Sequence, residues 1–202
     1  MRILALGLVA MVAAGCAPSR VYLNRNVETV LVLIPFNDST GPNDAPLKAW
    51  TYVERQVASR GYRLVPRQKV GDFYDAKKYT DPAQIAEWSH EDLCKEFNVD
   101  AIVISHLAAW DQQTLGIYNS VSVKITAELR ARDGSKEGAL VWNGEGEEGY
   151  QSSASTGKGI LGAFTQAATT DPGKYAPDAA AECFASLPWA GWDPEMKKFS
   201  PK

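Results

Sequence analysis

Thr29-Val-Leu-Val-Leu-Ile-Pro-Phe36 is a continuous run of β-branched and aliphatic residues, broken only by one proline. Apolar runs without polar alternation are typical of a central strand that is buried on both faces. Pro35 stands near the end of the run, where a missing backbone N–H does least harm to a sheet. A strand of this kind needs helices on both of its sides, so the run predicts an α/β sheet.

Helices and strands alternate after this first strand. A helix is predicted from about Ala45 to Gly61, with an apolar side made of Leu47, Trp50, Val53 and Val57. Residues 62–65 form a second short strand, and residues 100–107 form a third. Helical turns lie between these two strands, within residues 70–97. This β-α-β-α-β order implies crossover connections and a sheet that is parallel at its start.

Residues 117–131 change the pattern, because apolar and polar residues alternate there with a period of two. Asp133-Gly134 begins a turn, and residues 138–150 return as the partner strand. Two helices then follow, over residues 159–168 and 176–187. The predicted fold class is therefore α/β, with a mixed sheet, a β-α-β-α-β start, a long antiparallel hairpin and C-terminal helices.

The amino terminus indicates a bacterial lipoprotein. Arg2 precedes an apolar stretch of about a dozen residues, and Ala13-Ala14-Gly15-Cys16 then resembles a lipobox. Cleavage after Gly15 would make Cys16 the first mature residue, with a diacylglyceryl group on its thiol and an acyl chain such as palmitate on its amine. Ala17 follows instead of Asp, so the expected location is the periplasmic side of the outer membrane, with surface exposure left open.

The expected organisation has four parts. Residues 1–15 are a signal peptide, residues 16–27 a lipid-anchored tether, residues 28–187 a single α/β domain and residues 188–202 an irregular tail. A formal net charge of −3 argues against nucleic-acid binding by phosphate neutralisation. We therefore expect no nucleic-acid partner. The lipid anchor makes the membrane the expected partner instead.

The ordered motifs of this chain resemble a known family. They run from the lipobox through Val30-Leu-Val-Leu-Ile-Pro-Phe-Asn-Asp-Ser39, Gly61–Pro66, Asp81-Pro82-Ala83 and Val99–Ile104 to Trp110, Tyr118–Ser122 and Leu140–Gly144. The chain resembles the bacterial lipoprotein family of the neisserial GNA surface antigen, a domain of unknown function. That family is similar in fold to the amino-terminal domain of TolB and to CsgG.

The resemblance implies an outer-membrane lipoprotein with no catalytic residues to carry over. It also implies that partners include a CsgG-like lipoprotein and a small companion lipoprotein. The resemblance covers about residues 16–170 and fades in the tail.

The chemistry of the side chains favours no catalytic, cofactor or metal site. His106 follows Ser105 on a strand, where adjacent side chains point to opposite faces, and His90 is expected to be exposed at the start of a helix. The acidic residues between Gly144 and Gly149 are expected to protect a strand from edge-to-edge pairing. A cation site at the same residues is the alternative.

Two further sites are predicted. Cys94 and Cys183 are the cysteines that remain after lipidation, so a disulfide between them is expected in the oxidising periplasm, with two buried thiols as the alternative. Contacts with a partner are one interpretation of the apolar residues in the small-residue segment and of the tail tryptophans: Ile160, Leu161, Phe164, Trp189 and Trp192. The alternative is that the segment packs against the sheet and that the tail folds back and buries its tryptophans.

The function that these features favour is a non-catalytic assembly or scaffolding role in an envelope or secretion-related lipoprotein complex. Two alternatives stay open. A hydrolase of envelope polymers requires a nucleophile that meets a base in a cleft. A periplasmic ligand-binding module requires a deep apolar pocket.

Overall fold

A computed structural model of the protein describes residues 21–23, 26–115, 118–153 and 171–192. The strands in these residues are β1 (Tyr22–Leu23), β2 (Thr29–Val32), β3 (Phe36–Asn37), β4 (Arg63–Leu64), β5 (Ala101–Leu115), β6 (Tyr118–Ala131), β7 (Ala139–Ser153) and β8 (Trp189–Trp192). The α-helices are α1 (Ala45–Ser59), α2 (Arg67–Lys77), α3 (His90–Phe97) and α4 (Ala176–Cys183), with 3-10 helices at Pro82–Glu87 and Pro172–Lys174.

Six strands form one mixed sheet. Its order is β4-β2-β5-β6-β7, and β3 also pairs with β5 beyond the end of β2. Strand β2 is parallel to both β4 and β5, whereas β5, β6 and β7 are antiparallel neighbours. The sheet is therefore parallel where helices connect its strands and antiparallel where short turns can do so.

Helices cover both faces of the parallel half of the sheet. Side chains of Ala127, Leu129 and Trp142 point to one face, which carries α1 and α4 and is called the α1 face. Ile102 and Ile104 point to the opposite face, where α3 and the first 3-10 helix lie, called the α3 face. Burial on both sides explains why the β2 sequence has no polar alternation.

Helix α4 lies unusually close to β7. A Cβ atom added at Gly144 or Gly146 would overlap the backbone of Cys183 or Ala179. The Trp142 ring stacks on Phe184 beside this contact, with ring centroids 5.1 Å apart. The glycines thus allow backbone to pack directly on backbone, and the aromatic pair fills the space next to them.

An aromatic cluster joins the helices of the α3 face. Phe73 of α2 lies 5.2 Å from Trp88 and 5.1 Å from Phe97 of α3, measured between ring centroids. The Trp88 indole N–H donates to the Tyr79 hydroxyl at 3.0 Å. Lys77 holds its Nζ atom 4.6 Å from the centroid of Trp88. These contacts fix the helical layer between β4 and β5 as one unit.

The predicted fold class is confirmed. The alternation in residues 117–131 is matched by burial of Val121, Val123, Ile125, Ala127, Leu129 and Ala131. The prediction for Leu47 is wrong, because its side chain is 52% exposed while Ala45, Pro46, Ala49, Trp50, Val53 and Val57 form the buried side of α1. Helix α1 packs on the sheet through these buried residues, and Leu47 lies outside the packed side of the helix.

The two ends of the described chain differ from the predicted tether and tail. Strand β1, within predicted tether 16–27, pairs in parallel with β8, within predicted tail 188–202. Leu23 and Val27 are also buried, at 7% and 1% exposure. The packed body therefore extends beyond both limits of the predicted domain 28–187. The physical reason is non-local pairing between two short strands, which leaves no periodic signal in the sequence.

Candidate functional site

A cleft of about 300 Å³ opens on the α3 face, between the sheet and the helical layer. Its wall is apolar and includes Phe36, Ile85, Trp88, Leu93, Ile102 and Ile104. Its rim is charged and consists of Glu128, Arg130, Lys136 and Glu137. This volume lies at the lower end of the range for small-ligand sites.

Arg130 is held firmly at the rim. Its Nε atom lies 2.7 Å from the Glu128 carboxylate, two residues earlier on the same face of β6. Its Nη1 atom donates to the carbonyl oxygens of Glu137 and Gly138, each at 3.4 Å. The guanidinium therefore joins β6 to the β6–β7 turn, and the cleft presents a neutralised ion pair beside an apolar wall.

His90 lies in the wall of the cleft and is only 5% exposed, so the expectation that it is exposed is wrong. Ser89 caps α3 by accepting the Asp92 N–H at 3.1 Å, which turns the first helical residue inward. The His90 backbone N–H donates to the Lys136 carbonyl at 2.8 Å. The ring packs on Gly138, where an added Cβ would lie 2.6 Å from Nδ1. The histidine thus fastens α3 to the β6–β7 turn.

Cys94 meets His90 one helical turn later, with its Sγ atom 3.6 Å from Nδ1. The Nε2 atom of His90 lies 2.9 Å from the Arg130 carbonyl oxygen, an acceptor only, so Nε2 carries the proton and Nδ1 accepts from the thiol. Burial raises the pKa of the Cys94 thiol to about 12. Burial also lowers the pKa of His90. Both shifts favour neutral forms, so the contact is a thiol–imidazole hydrogen bond and not an activated thiolate.

The His90 pKa has a consequence for stability. Desolvation lowers this pKa most, and the positive charge of the Arg130 side chain lowers it further. The hydrogen bond to the Arg130 backbone carbonyl and the negative charges of Asp133 and Glu91 raise it in part. The unfolded chain therefore binds a proton at higher pH than the folded chain, and stability must fall as the pH drops below the ordinary histidine pKa of about 6.5.

We expect the Tm of the wild type to decrease between pH 7.5 and 5.5, and we expect a smaller decrease for His90→Gln. Glutamine retains a donor toward the Arg130 carbonyl but has no titrating ring. His106 is present in both proteins and cancels from the comparison. Parallel curves for the two proteins, from thermal unfolding at several pH values, would contradict this account of His90.

Ser105 and His106 do not form a catalytic pair. Ser105 is 1% exposed on the α1 face, and its Oγ atom has no hydrogen-bond partner among the described residues. His106 points to the α3 face, where its Nδ1 atom lies 2.7 Å from Asp38 and its ring lies edge-on to Phe36. The sheet therefore separates the hydroxyl from the imidazole.

The acidic residues of β7, an edge strand of the sheet, contact a lysine. Lys124 lies 2.7 Å from Glu145 and 3.8 Å from Glu147. The backbone N–H of Glu147 donates to the Glu182 carboxylate of α4 at 2.9 Å. In the described ranges, no group of three or more His, Cys, Asp or Glu side chains could hold a metal ion.

The predicted Cys94–Cys183 disulfide is absent from the structure, where both residues are free, buried thiols. Cys183 lies on the α1 face, against Gly144 and Gly146 of β7. Cys94 lies in α3, on the opposite face of the sheet. The sheet between the two helices is the physical reason that the pair cannot meet without rearrangement.

We expect the native mature protein to show no rapidly reacting thiol, because Cys94 and Cys183 are 0% and 1% exposed. Denaturation without a reductant should release two reactive thiols per chain, measured by titration with a chromogenic disulfide reagent. Reduced and denatured protein is the control and should give the same value. If denaturation without a reductant exposes no reactive thiol, Cys94 and Cys183 are joined by a disulfide and the structure is wrong at this point.

The structure describes only two of the residues predicted to contact a partner, Trp189 and Trp192. Ile160, Leu161 and Phe164 lie outside the described residues, as does Cys16. Trp189 begins β8 and is partly buried, with the Arg60 guanidinium 5.7 Å from its ring centroid. Trp192 ends the same strand. The structure therefore places both tryptophans in a paired strand and not in an irregular tail.

Sequence reasoning did not identify the cleft. Glu128 and Arg130 are even-numbered residues of the alternating strand, so the pattern did place them together on the polar face. Nothing in the pattern shows that α3 and the first 3-10 helix overhang that face. Within the residues that the structure describes, no helix is long and apolar enough to cross a bilayer.

The mixed α/β sheet and the lipobox-like amino terminus together are typical of a bacterial lipoprotein. The sequence matches the GNA1162-like lipoprotein family over residues 21–186. The chain belongs to that family, which confirms the resemblance to the neisserial antigen. Comparison with curated proteins gives no significant match.

The chain is similar to several solved structures, and the first of those given below shares its fold. The crystal structure of lipoprotein GNA1162 from Neisseria meningitidis is 20% identical, with a TM-score of 0.55, and the alignment covers 70% of this chain and 94% of that one. The PelC dodecamer from Paraburkholderia phytofirmans is 16% identical, with a TM-score of 0.47 and coverage of 85% and 94%. The LpoB C-terminal domain from Salmonella enterica is 14% identical, with a TM-score of 0.45 and coverage of 62% and 85%.

Proposed function

We propose that this protein is a lipid-anchored, non-catalytic assembly or scaffolding component of an envelope lipoprotein complex. Membership in a lipoprotein family over residues 21–186 carries the proposal. The lipobox cysteine, Cys16, stands five residues before the matched segment. Two or three acyl chains at that residue would anchor the protein almost permanently, at about 0.8 kcal/mol for each buried methylene.

The side chains of the described residues support a role without catalysis. The cleft wall includes no Ser, Thr or Cys, and its histidine is neutral and committed to two hydrogen bonds. Ser105 and His106 point to opposite faces of the sheet. A hydrolase would need a nucleophile and a base that converge on one substrate position.

The proposed location is the periplasmic side of the outer membrane, because Ala17 and not Asp follows Cys16. The proposed partners are a CsgG-like lipoprotein and a small companion lipoprotein, and the process is related to secretion or envelope integrity. Ile160, Leu161 and Phe164 are the proposed contact residues, since they carry apolar area within a segment of small residues.

The test is capture of the intact lipoprotein from cross-linked membranes, followed by mass spectrometry. The wild type should recover a CsgG-like lipoprotein, and Ile160→Asp should lose it with an almost unchanged Tm. Leu140→Asp is the matched control, because Leu140 is an apolar residue that is already 50% exposed. Recovery of no lipoprotein by the wild type, or release of soluble fragments from envelope polymers by the purified protein, would contradict the proposal.

The cleft supports a second candidate function, which is binding of a small, mostly apolar ligand. Its apolar wall and the fixed Glu128–Arg130 pair are the combination that such sites use. Ile104→Trp would place a larger side chain in the cleft. If ligand binding is the function, the wild type should bind a small apolar fluorescent dye and this variant should not, while both capture the same lipoproteins.

A further inference from the structure

The parallel pairing of β1 with β8 fixes which end of the body is nearest to the anchor. Tyr22 is in register with Trp189, and the Trp189 N–H donates to the Val21 carbonyl at 2.8 Å. The two strands run in the same direction, and Cys16 comes before β1 in the chain. The anchor is therefore nearest to the end of the pair at which β8 begins. Residues after Trp192 leave from the other end of the pair. Trp189 is therefore the tail tryptophan nearest to the anchor.

The chain between the anchor and the body is short. Val21 follows Cys16 by five residues, and a fully extended chain of five residues spans at most about 18 Å. The predicted tether of twelve residues, 16–27, would have allowed more than twice that reach. Since β1 is already part of the packed body, this end cannot move far from the acyl chains.

The surface at this end has the chemistry of a membrane interface. Val21 is 67% exposed, the most exposed large hydrophobic residue in the described ranges. Trp189 is partly exposed, and the Arg60 guanidinium lies over its ring. Arg60 donates to the carbonyl oxygens of Phe184 and Ala185 and, among the described residues, pairs with no carboxylate. An aliphatic side chain, an indole and an uncompensated positive charge are the groups that settle at lipid headgroups.

The same surface is held rigidly to the body. The Tyr62 hydroxyl donates to the Pro188 carbonyl at 2.9 Å, directly before β8. The Ala190 N–H donates to the Arg60 carbonyl at 3.0 Å, and the Gly191 N–H donates to the Val27 carbonyl at 2.9 Å. Contact of this surface with a membrane would consequently orient the whole domain.

We propose that the surface formed by Val21, Arg60 and Trp189 rests on the phospholipid headgroups next to the anchor. The inference depends on lipidation of Cys16, which is part of the proposed function. The short reach from Cys16 to Val21 favours a lipid surface over a protein partner here, as does the charge of Arg60, which no carboxylate of the described residues neutralises. Gly191 of β8 donates to Val27, directly before β2, and Ala101 of β5 pairs in parallel with Val30 of β2, so β5 begins at the end of the sheet near this surface. Gln113 lies about 40 Å farther along β5, at roughly 3.3 Å per residue, and therefore points away from the membrane.

The test uses the lipidated full-length protein in vesicles of phosphatidylethanolamine and phosphatidylglycerol. Val21→Cys and Gln113→Cys are each labelled with an environment-sensitive fluorophore. Both positions are exposed, whereas the native thiols of Cys94 and Cys183 are buried and react poorly. Vesicles that contain a headgroup nitroxide lipid should quench the label at position 21 by roughly threefold more than the label at position 113.

Flotation of the vesicles separates the two claims. If the protein floats and the nitroxide quenches both labels equally little, the lipid anchor stands and the docking proposal is wrong. If the protein does not float, the lipid anchor is wrong, and the docking proposal fails with it. The Cys16→Ser protein, labelled at the same positions, gives the signal of a label in water.

Discussion

Replacing Gly146 by valine is expected to lower the free energy of unfolding by about 3 kcal/mol. An added Cβ at this position would overlap the carbonyl of Ala179 and the backbone N–H of Cys183. Both obstacles are backbone atoms of α4, so no side-chain rotation can remove the clash. For a protein of this size, the loss corresponds to a Tm lower by about 6–12 °C.

Gly71→Ala is the matched control, because a Cβ added there would meet no heavy atom of the described residues within 4 Å outside the local backbone of its own helix. Gly71 is inside α2, so alanine should raise the free energy of unfolding by about 0.5–1 kcal/mol. Urea unfolding of both variants measures the difference. If Gly146→Val unfolds at the wild-type midpoint, α4 does not pack on β7 as described.

The second large effect is expected at Asp100, which joins the start of β2 to the start of β5. Its Oδ2 atom accepts the backbone N–H of Glu28 at 3.0 Å, the backbone N–H of Thr29 at 2.8 Å and the Thr29 hydroxyl at 2.7 Å. Asp100→Ala should cost about 2–3 kcal/mol, because hydrogen bonds to a charged group are stronger than neutral ones. A double-mutant cycle with Thr29→Val measures the share that passes through the hydroxyl, and independent effects would contradict the contact.

The pKa of Asp100 adds a pH dependence. Partial burial alone would raise it, but the hydrogen bonds from Thr29 and Glu28 together hold it below its ordinary value. The stability that this carboxylate contributes is present above the unfolded pKa of about 3.9 and is lost as the pH falls through the lower folded value. Asp100→Asn should remove this part of the acid dependence, and an unchanged acid profile would exclude it.

The antiparallel half of the sheet shows what periodicity can and cannot predict. Alternation over residues 117–131 correctly placed Val123, Ile125 and Leu129 on a buried face. Strand β5 was predicted to end at Leu107 but extends to Leu115. A bulge between Leu107 and Ala109 shifts which residues face inward, so the apolar pattern breaks although the pairing with β6 continues.

The candidate site depended on contacts that no local pattern records. The capping serine Ser89 and the helix that follows were predictable, yet the burial of His90 depends on Lys136 and Gly138, more than forty residues away. The Cys94–Cys183 expectation failed for a related reason. Spacing along the chain says nothing about which face of the sheet a helix covers.

We propose that Cys16 becomes the acylated first residue of the mature protein. Cells that make the wild type or Cys16→Ser are grown with an alkyne fatty acid, and the intact mass of each purified protein is measured. The wild type should carry the label and have the mass of residues 16–202 with two or three acyl chains. Cys16→Ser should carry no label and should leave the membrane fraction. Equal labelling of the two proteins, or a wild-type mass without acyl chains, would contradict the account.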